Sequence, residues 1–131
     1  GTQAIILSVD VKINDSGKYE VHSNLGKTNT FKDPLQWCID AQDEGVGEIL
    51  LNSIDRDGSA EGYDLDLISS IVSKVNIPVI ACGGVGDYLH FEEGILIGGA
   101  SAVAAGNIFN FRELAYPYAK NFLKKKRLNF R

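Results

Sequence analysis

The chain has 131 residues, the length of one ordinary domain, and its 44% hydrophobic and 23% charged residues are a globular balance. Thirteen Lys and Arg against 17 Asp and Glu leave a net charge of -4. That excludes nucleic acid as the main partner, since neutralising phosphates takes a basic face. No apolar run approaches the ~18 residues of a bilayer span, so no membrane partner is expected. Gly1-Thr2-Gln3 lacks the basic region of a secretion signal. Cys38 and Cys82 form no CxxC pair, so reduced thiols in the cytoplasm are expected, with no disulfide framework and no metal.

The run Ala4-Ile5-Ile6-Leu7-Ser8-Val9 predicts a strand buried on both faces and ended by Asp10. Asn14-Asp15-Ser16-Gly17 is a hairpin signal, and Tyr19-Glu20-Val21-His22-Ser23 alternates after it as an inserted ribbon. A helix is expected over residues 33–41, capped by Asp33 with Pro34 at its first position and ended by Gly45 and Gly47. A second strand covers residues 48–54. A second helix over 64–75 carries Leu65, Ile68, Ile71, Val72 and Val75 on one stripe, with Asp64 as cap. The third strand is 78–82 and the third helix 87–97. The fourth strand is 101–105, and a last helix spans 117–127. Strand–helix alternation with right-handed crossovers gives a parallel α/β sheet.

In such sheets ligands bind beyond the carboxyl ends of the strands. The strands here end in Asp10, in Asn52-Ser53-Ile54-Asp55-Arg56-Asp57-Gly58, in Cys82-Gly83-Gly84 and in Gly106-Asn107. Glycine loops on the last two strands point to a phosphate ligand held by backbone N–H groups. Asp10 reads either as an acid–base group or as a solvent-facing loop acid. Asp55 and Asp57 read either as ligand contacts or as an ion-paired turn around Arg56. His22 and His90 read as structural, and Trp37 and Phe122 as helix–sheet packing. Neither a nucleophile elbow nor a zinc-protease motif is present.

Ser8-Val9-Asp10-Val11-Lys12, the segment 45–58, Gly62-Tyr63-Asp64, Ala81-Cys82-Gly83-Gly84-Val85-Gly86 and Ala104-Ala105-Gly106-Asn107-Ile108-Phe109 resemble, in that order, the cyclase subunit of imidazole glycerol phosphate synthase. The resemblance runs over nearly the whole chain but covers only strands five to eight of that family's (β/α)8 barrel. It implies that residues 1–131 form one α/β half-barrel of four units, (β/α)4. It also implies a lyase that takes ammonia from a partner glutaminase subunit. The ammonia splits and cyclises a bis-phosphorylated ribulosyl aminoimidazole intermediate to imidazole glycerol phosphate and an aminoimidazole carboxamide ribotide, without a cofactor. By the same resemblance Asp10 is an acid–base aspartate whose partner lies in the other half. Asn52, Asp55 and Asp57 contact substrate. Gly58, Gly83, Gly84, Gly106 and Asn107 hold phosphate, and Glu48 guards ammonia entry at the opposite mouth.

Cys82 and Asn107 stand where the histidine-pathway members usually have serine, and Leu25 where a polar contact is frequent. These departures look more like a paralogous branch that supplies ammonia for sugar amidation in surface polysaccharide synthesis. A non-enzymatic scaffold or a fragment of a longer protein is the remaining alternative. Four strands cannot close an eight-stranded barrel. The isolated chain is therefore expected to be inactive, and to pair with a missing N-terminal half or with a second copy of itself.

Overall fold

A computed structural model describes residues 5–23 and 26–104. The described elements are β1 (Ile6–Ile13), β2 (Tyr19–Ser23), β3 (Thr28–Lys32), α1 (Pro34–Asp43), β4 (Glu48–Ser53), α2 (Leu65–Val72), β5 (Val79–Cys82), α3 (Tyr88–Leu96) and β6 (Ala102–Val103). They form one sheet in the order β3-β2-β1-β4-β5-β6, in which β1, β4, β5 and β6 are parallel. The parallel strands add in chain order, β1-β4-β5-β6, without the reversal that makes a switch point in a doubly wound sheet. The helices touch in the same succession, α1 to α2 and α2 to α3.

Each helix start is capped as its sequence demands: Asp33, Asp64 and Asp87 accept backbone N–H bonds from Gln36, Leu67 and Leu89. The described helices pack on one face of the sheet. Val9, Val11, Ile49, Leu51, Val79, Ala81 and Val103 alternate along their strands and are buried beneath them with Leu67, Ile68 and Ile71. The other face carries Ile6, Ser8, Asp10, Glu48, Leu50, Asn52, Ile80, Cys82 and Ala102, and Ile6 is 57% exposed. β1 is thus buried on one face, not on both as its unbroken apolar run suggested. A run of that kind needs a layer on each side, and among the described residues only one side is covered.

Other expectations also shift. β1 continues to Ile13, so Asp10 lies within the strand. The parallel ladder to β4 reaches Val11, and antiparallel pairing with β2 carries the strand onward. The inserted ribbon has a second strand, β3, that sequence reading missed. α2 stops at Val72, although Val75 still packs in the core. The end of the fourth strand, Gly106, Asn107, Phe122 and the helix expected over 117–127 lie outside the described residues.

Candidate active site

The parallel register aligns Asp10, Asn52 and Cys82 directly across β1, β4 and β5, on the uncovered face at its C-terminal end. Asn52 Nδ2 donates to Asp10 Oδ1 at 3.2 Å. Cys82 is buried, and its thiol is pushed up to about 11, first by burial and then by the charges of Asp57 and Asp10. Burial thus favours the protonated thiol at neutral pH. Asp57 is exposed just beyond β4, and among the described residues its carboxylate has no hydrogen-bond partner. Glu48 opens β4 on the same face as Asn52, four residues earlier, roughly 13 Å down the strand at its N-terminal end.

Asp55 has a different task. Its Oδ2 accepts the Ile13 N–H at 2.7 Å and so ties the loop after β4 to the far end of β1. Arg56 donates to the Gly62 carbonyl at 3.4 Å, and among the described residues it forms no ion pair with Asp55 or Asp57. The expected alternative of an ion-paired turn is therefore not what organises this loop. Gly58 turns the chain at φ +81 with open space around it.

The glycines after β5 serve the approach of two loops. Gly62 N–H donates to Gly84 O at 2.7 Å, and a Cβ on Gly84 would lie 2.0 Å from Gly62 O. A Cβ on Gly86 would meet Ala60 O at 2.5 Å. The loop after β4 is thereby pressed against the loop after β5, which carries Asp57 toward the row of Asp10, Asn52 and Cys82. His90 contributes here through structure. Its Nδ1 accepts from Gly86 N–H at 2.8 Å and Asp87 N–H at 3.4 Å, completing a capping box, so those two amides are already engaged. Of the expected phosphate-binding residues, Gly83 and Gly84 follow Cys82 at the end of the row, with Gly83 against Asn52.

Sequence reading missed the placement of His22. It is the β2 partner of Asp10 in the antiparallel register, hence on the same face, with Nδ1 3.2 Å from Gly26 O. Counting outward from a four-residue turn at Asn14–Gly17 would have paired Asp10 with Val21; the Asn14 N–H bond to Lys18 O shifts the register by one and sets His22 opposite Asp10. A cleft of about 620 Å³ lined by Leu7, Phe31, Gln36 and Trp37 lies on the helical side and contains none of the row. Among the described residues no cluster of side chains could hold a metal ion, and no helix is long and apolar enough to cross a membrane.

Described helices on one face, parallel strands added in order, and polar groups gathered at the carboxyl ends are the arrangement of an α/β half-barrel. The profile of the histidine biosynthesis protein family matches residues 1–115, and the chain belongs to that family. It is 45% identical over 126 residues to the imidazole glycerol phosphate synthase subunit HisF of Chlorobaculum parvum, covering 96% of this chain and 50% of the relative. The subunits of the same name from Chlorobium luteolum and Chlorobium phaeobacteroides are 43% and 42% identical over 131 residues, all of this chain and 52% of each relative. The chain thus spans about half the length of the curated relatives it matches, consistent with a half-barrel.

Proposed function

We propose that this chain is the C-terminal half of a cytoplasmic cyclase of the imidazole glycerol phosphate synthase type. In this reading a glutaminase subunit supplies ammonia, which enters past Glu48 and travels along the uncovered face between Ile6, Leu50 and Ile80. Glu48 and the Asp10–Asn52 pair at opposite ends of one face support that path. At the other end Asp10 transfers protons to and from the bis-phosphorylated ribulosyl aminoimidazole substrate. Asp57 holds substrate hydroxyls, and backbone amides near Gly83, Gly84, Gly106 and Asn107 hold a phosphate. The single observation that carries the reading is the register-aligned row of Asp10, Asn52 and Cys82 at the carboxyl ends of the parallel strands. The exposed Ile6 and half-buried Leu50 and Ile80 favour a covering partner, either an N-terminal half-barrel or a second copy.

The test is ammonium-dependent turnover in the complete barrel enzyme. Asp10→Asn is expected to lower kcat by ~10²–10⁴-fold with little change in KM, the signature of lost acid–base catalysis. Near-normal kcat would refute the role of Asp10. Cys82 within the row favours a second reading, the ammonia-supplying paralogue for sugar amidation. In that case the protein would support amidation of a sugar and leave the cyclisation substrate unconsumed.

A further inference from the structure

The Asn52 carboxamide has a defined orientation. Its Nδ2 donates to Asp10 Oδ1 at 3.2 Å between direct register partners. Its Oδ1 is turned toward the end of β5, where a Cβ on Gly83 would lie 2.7 Å from it and 2.6 Å from Ser53 O. Glycine at position 83, at φ +87, lets the β5 end close onto the amide. A flipped amide would set its oxygen against a carboxylate oxygen, two acceptors facing each other. Cys82 bounds the group on the next strand and is a neutral thiol there.

We propose that Asn52 is a positioning residue: seated against Gly83, it holds Asp10 by one carboxylate oxygen and leaves the other for proton transfer with the reactant. This rests on the reading of Asp10 as the acid–base group, and it departs from the expectation that Asn52 serves by touching substrate. Holding one oxygen fixes the plane of the carboxylate, and misplacing a reacting group by about 1 Å costs on the order of 10²-fold in rate.

The experiment uses the complete barrel enzyme with ammonium as nitrogen donor. Asn52→Leu, similar in size and without a donor, is expected to lower kcat by about 10²-fold with KM unchanged. Asn52→Asp keeps the shape and an acceptor for a substrate hydroxyl but puts a like charge beside Asp10, and it is expected to fall at least as far. This isosteric variant carries the test if Asn52→Leu does not fold. A readout independent of turnover is the Asn52 side-chain NH2 resonance, which is expected to move on Asp10→Asn substitution. Wild-type kcat with raised KM in the Asn52 variants, while Asp10→Asn loses turnover, would overturn the positioning role and leave the acid–base reading standing. Normal kcat in Asp10→Asn would overturn that reading and the positioning role with it.

Discussion

Replacing Gly84 by alanine probes the contact between the loops that follow β4 and β5. Gly84 is buried at φ +119, and the new Cβ would sit 2.0 Å from Gly62 O and 2.7 Å from Gly62 C. Both contacts are to backbone, so no side chain can swing aside. The positive φ alone costs roughly 1–2 kcal/mol for an L side chain. Relieving the clash requires the loops to part, which breaks the Gly62 N–H bond to Gly84 O. Leaving those buried groups unpaired costs about 1–3 kcal/mol more. The sum is about 2–5 kcal/mol, and with an m-value of ~1–3 kcal/mol/M it lowers the urea midpoint by roughly 0.7–5 M. Gly17→Ala is the matched control, since Gly17 has a positive φ of +82 but nothing within 4 Å of its Cβ position. It is expected to lose only the conformational part, roughly 1–2 kcal/mol. Paired urea titrations followed by Trp37 fluorescence and far-UV circular dichroism measure both. Equal losses in the two variants would refute the claim that backbone contact requires glycine at position 84.

Tyr19→Phe removes the phenol that donates to the Asp64 carboxylate at 2.9 Å and is expected to cost about 1–3 kcal/mol, because Asp64 is buried and keeps only its helix-capping bond. The Tyr19 phenol is pushed up to about 12 by burial and then by its hydrogen bond to Asp64. Its contribution is complete below pH 10 and is lost as the pH rises through 12. Burial pushes the Cys38 and Cys82 thiols up to about 11 as well, so stability should begin to fall above pH 9. Denaturation midpoints between pH 8 and 12 check both, and Tyr19→Phe should flatten the upper part of the decline. On the proposed function, Glu48→Gln in the complete barrel with a glutaminase subunit is expected to alter glutamine-dependent turnover more than ammonium-dependent turnover, and equal loss in both would exclude a role in ammonia passage.

The element types and their order were legible in the residues. Asp33-Pro34, Asp64 and Asp87 are caps whose chemistry is local, and each begins a helix within a residue of its expected place. The apolar runs at Ile6–Val9, Ile49–Leu51 and Val79–Ala81 each gave a strand, and Asn14–Gly17 gave the turn. β3 was not legible, because Thr28-Asn29-Thr30-Phe31-Lys32 has little apolar content and is a strand only through its pairing with β2. Asp10, Asn52, Asp57 and Glu48 could be selected as candidates from their strand-end positions and from resemblance to a known family. The resemblance also gave each a task, but the hydrogen bond between Asn52 and Asp10 was not legible there.

Three facts needed the tertiary structure. Register brings Asp10, Asn52 and Cys82 into one row although 42 and 30 residues separate them in sequence, and sequence distance carries no information about that alignment. Asp55 and Asp57 look alike in the chain and are both exposed, yet one holds the Ile13 amide and the other has no hydrogen-bond partner among the described residues, a difference set by how the loop folds back on β1. The Gly83-Gly84-Val85-Gly86 segment read as a phosphate loop from its place at a strand end, and the packed structure adds that glycine at 83, 84 and 86 is demanded by backbone atoms of Ser53, Gly62 and Ala60. Local chemistry marks where a chain turns and which residues can react. Close approach between distant segments is a property of the packed molecule, and at this site it decides which group is held, which is free and which must have no side chain.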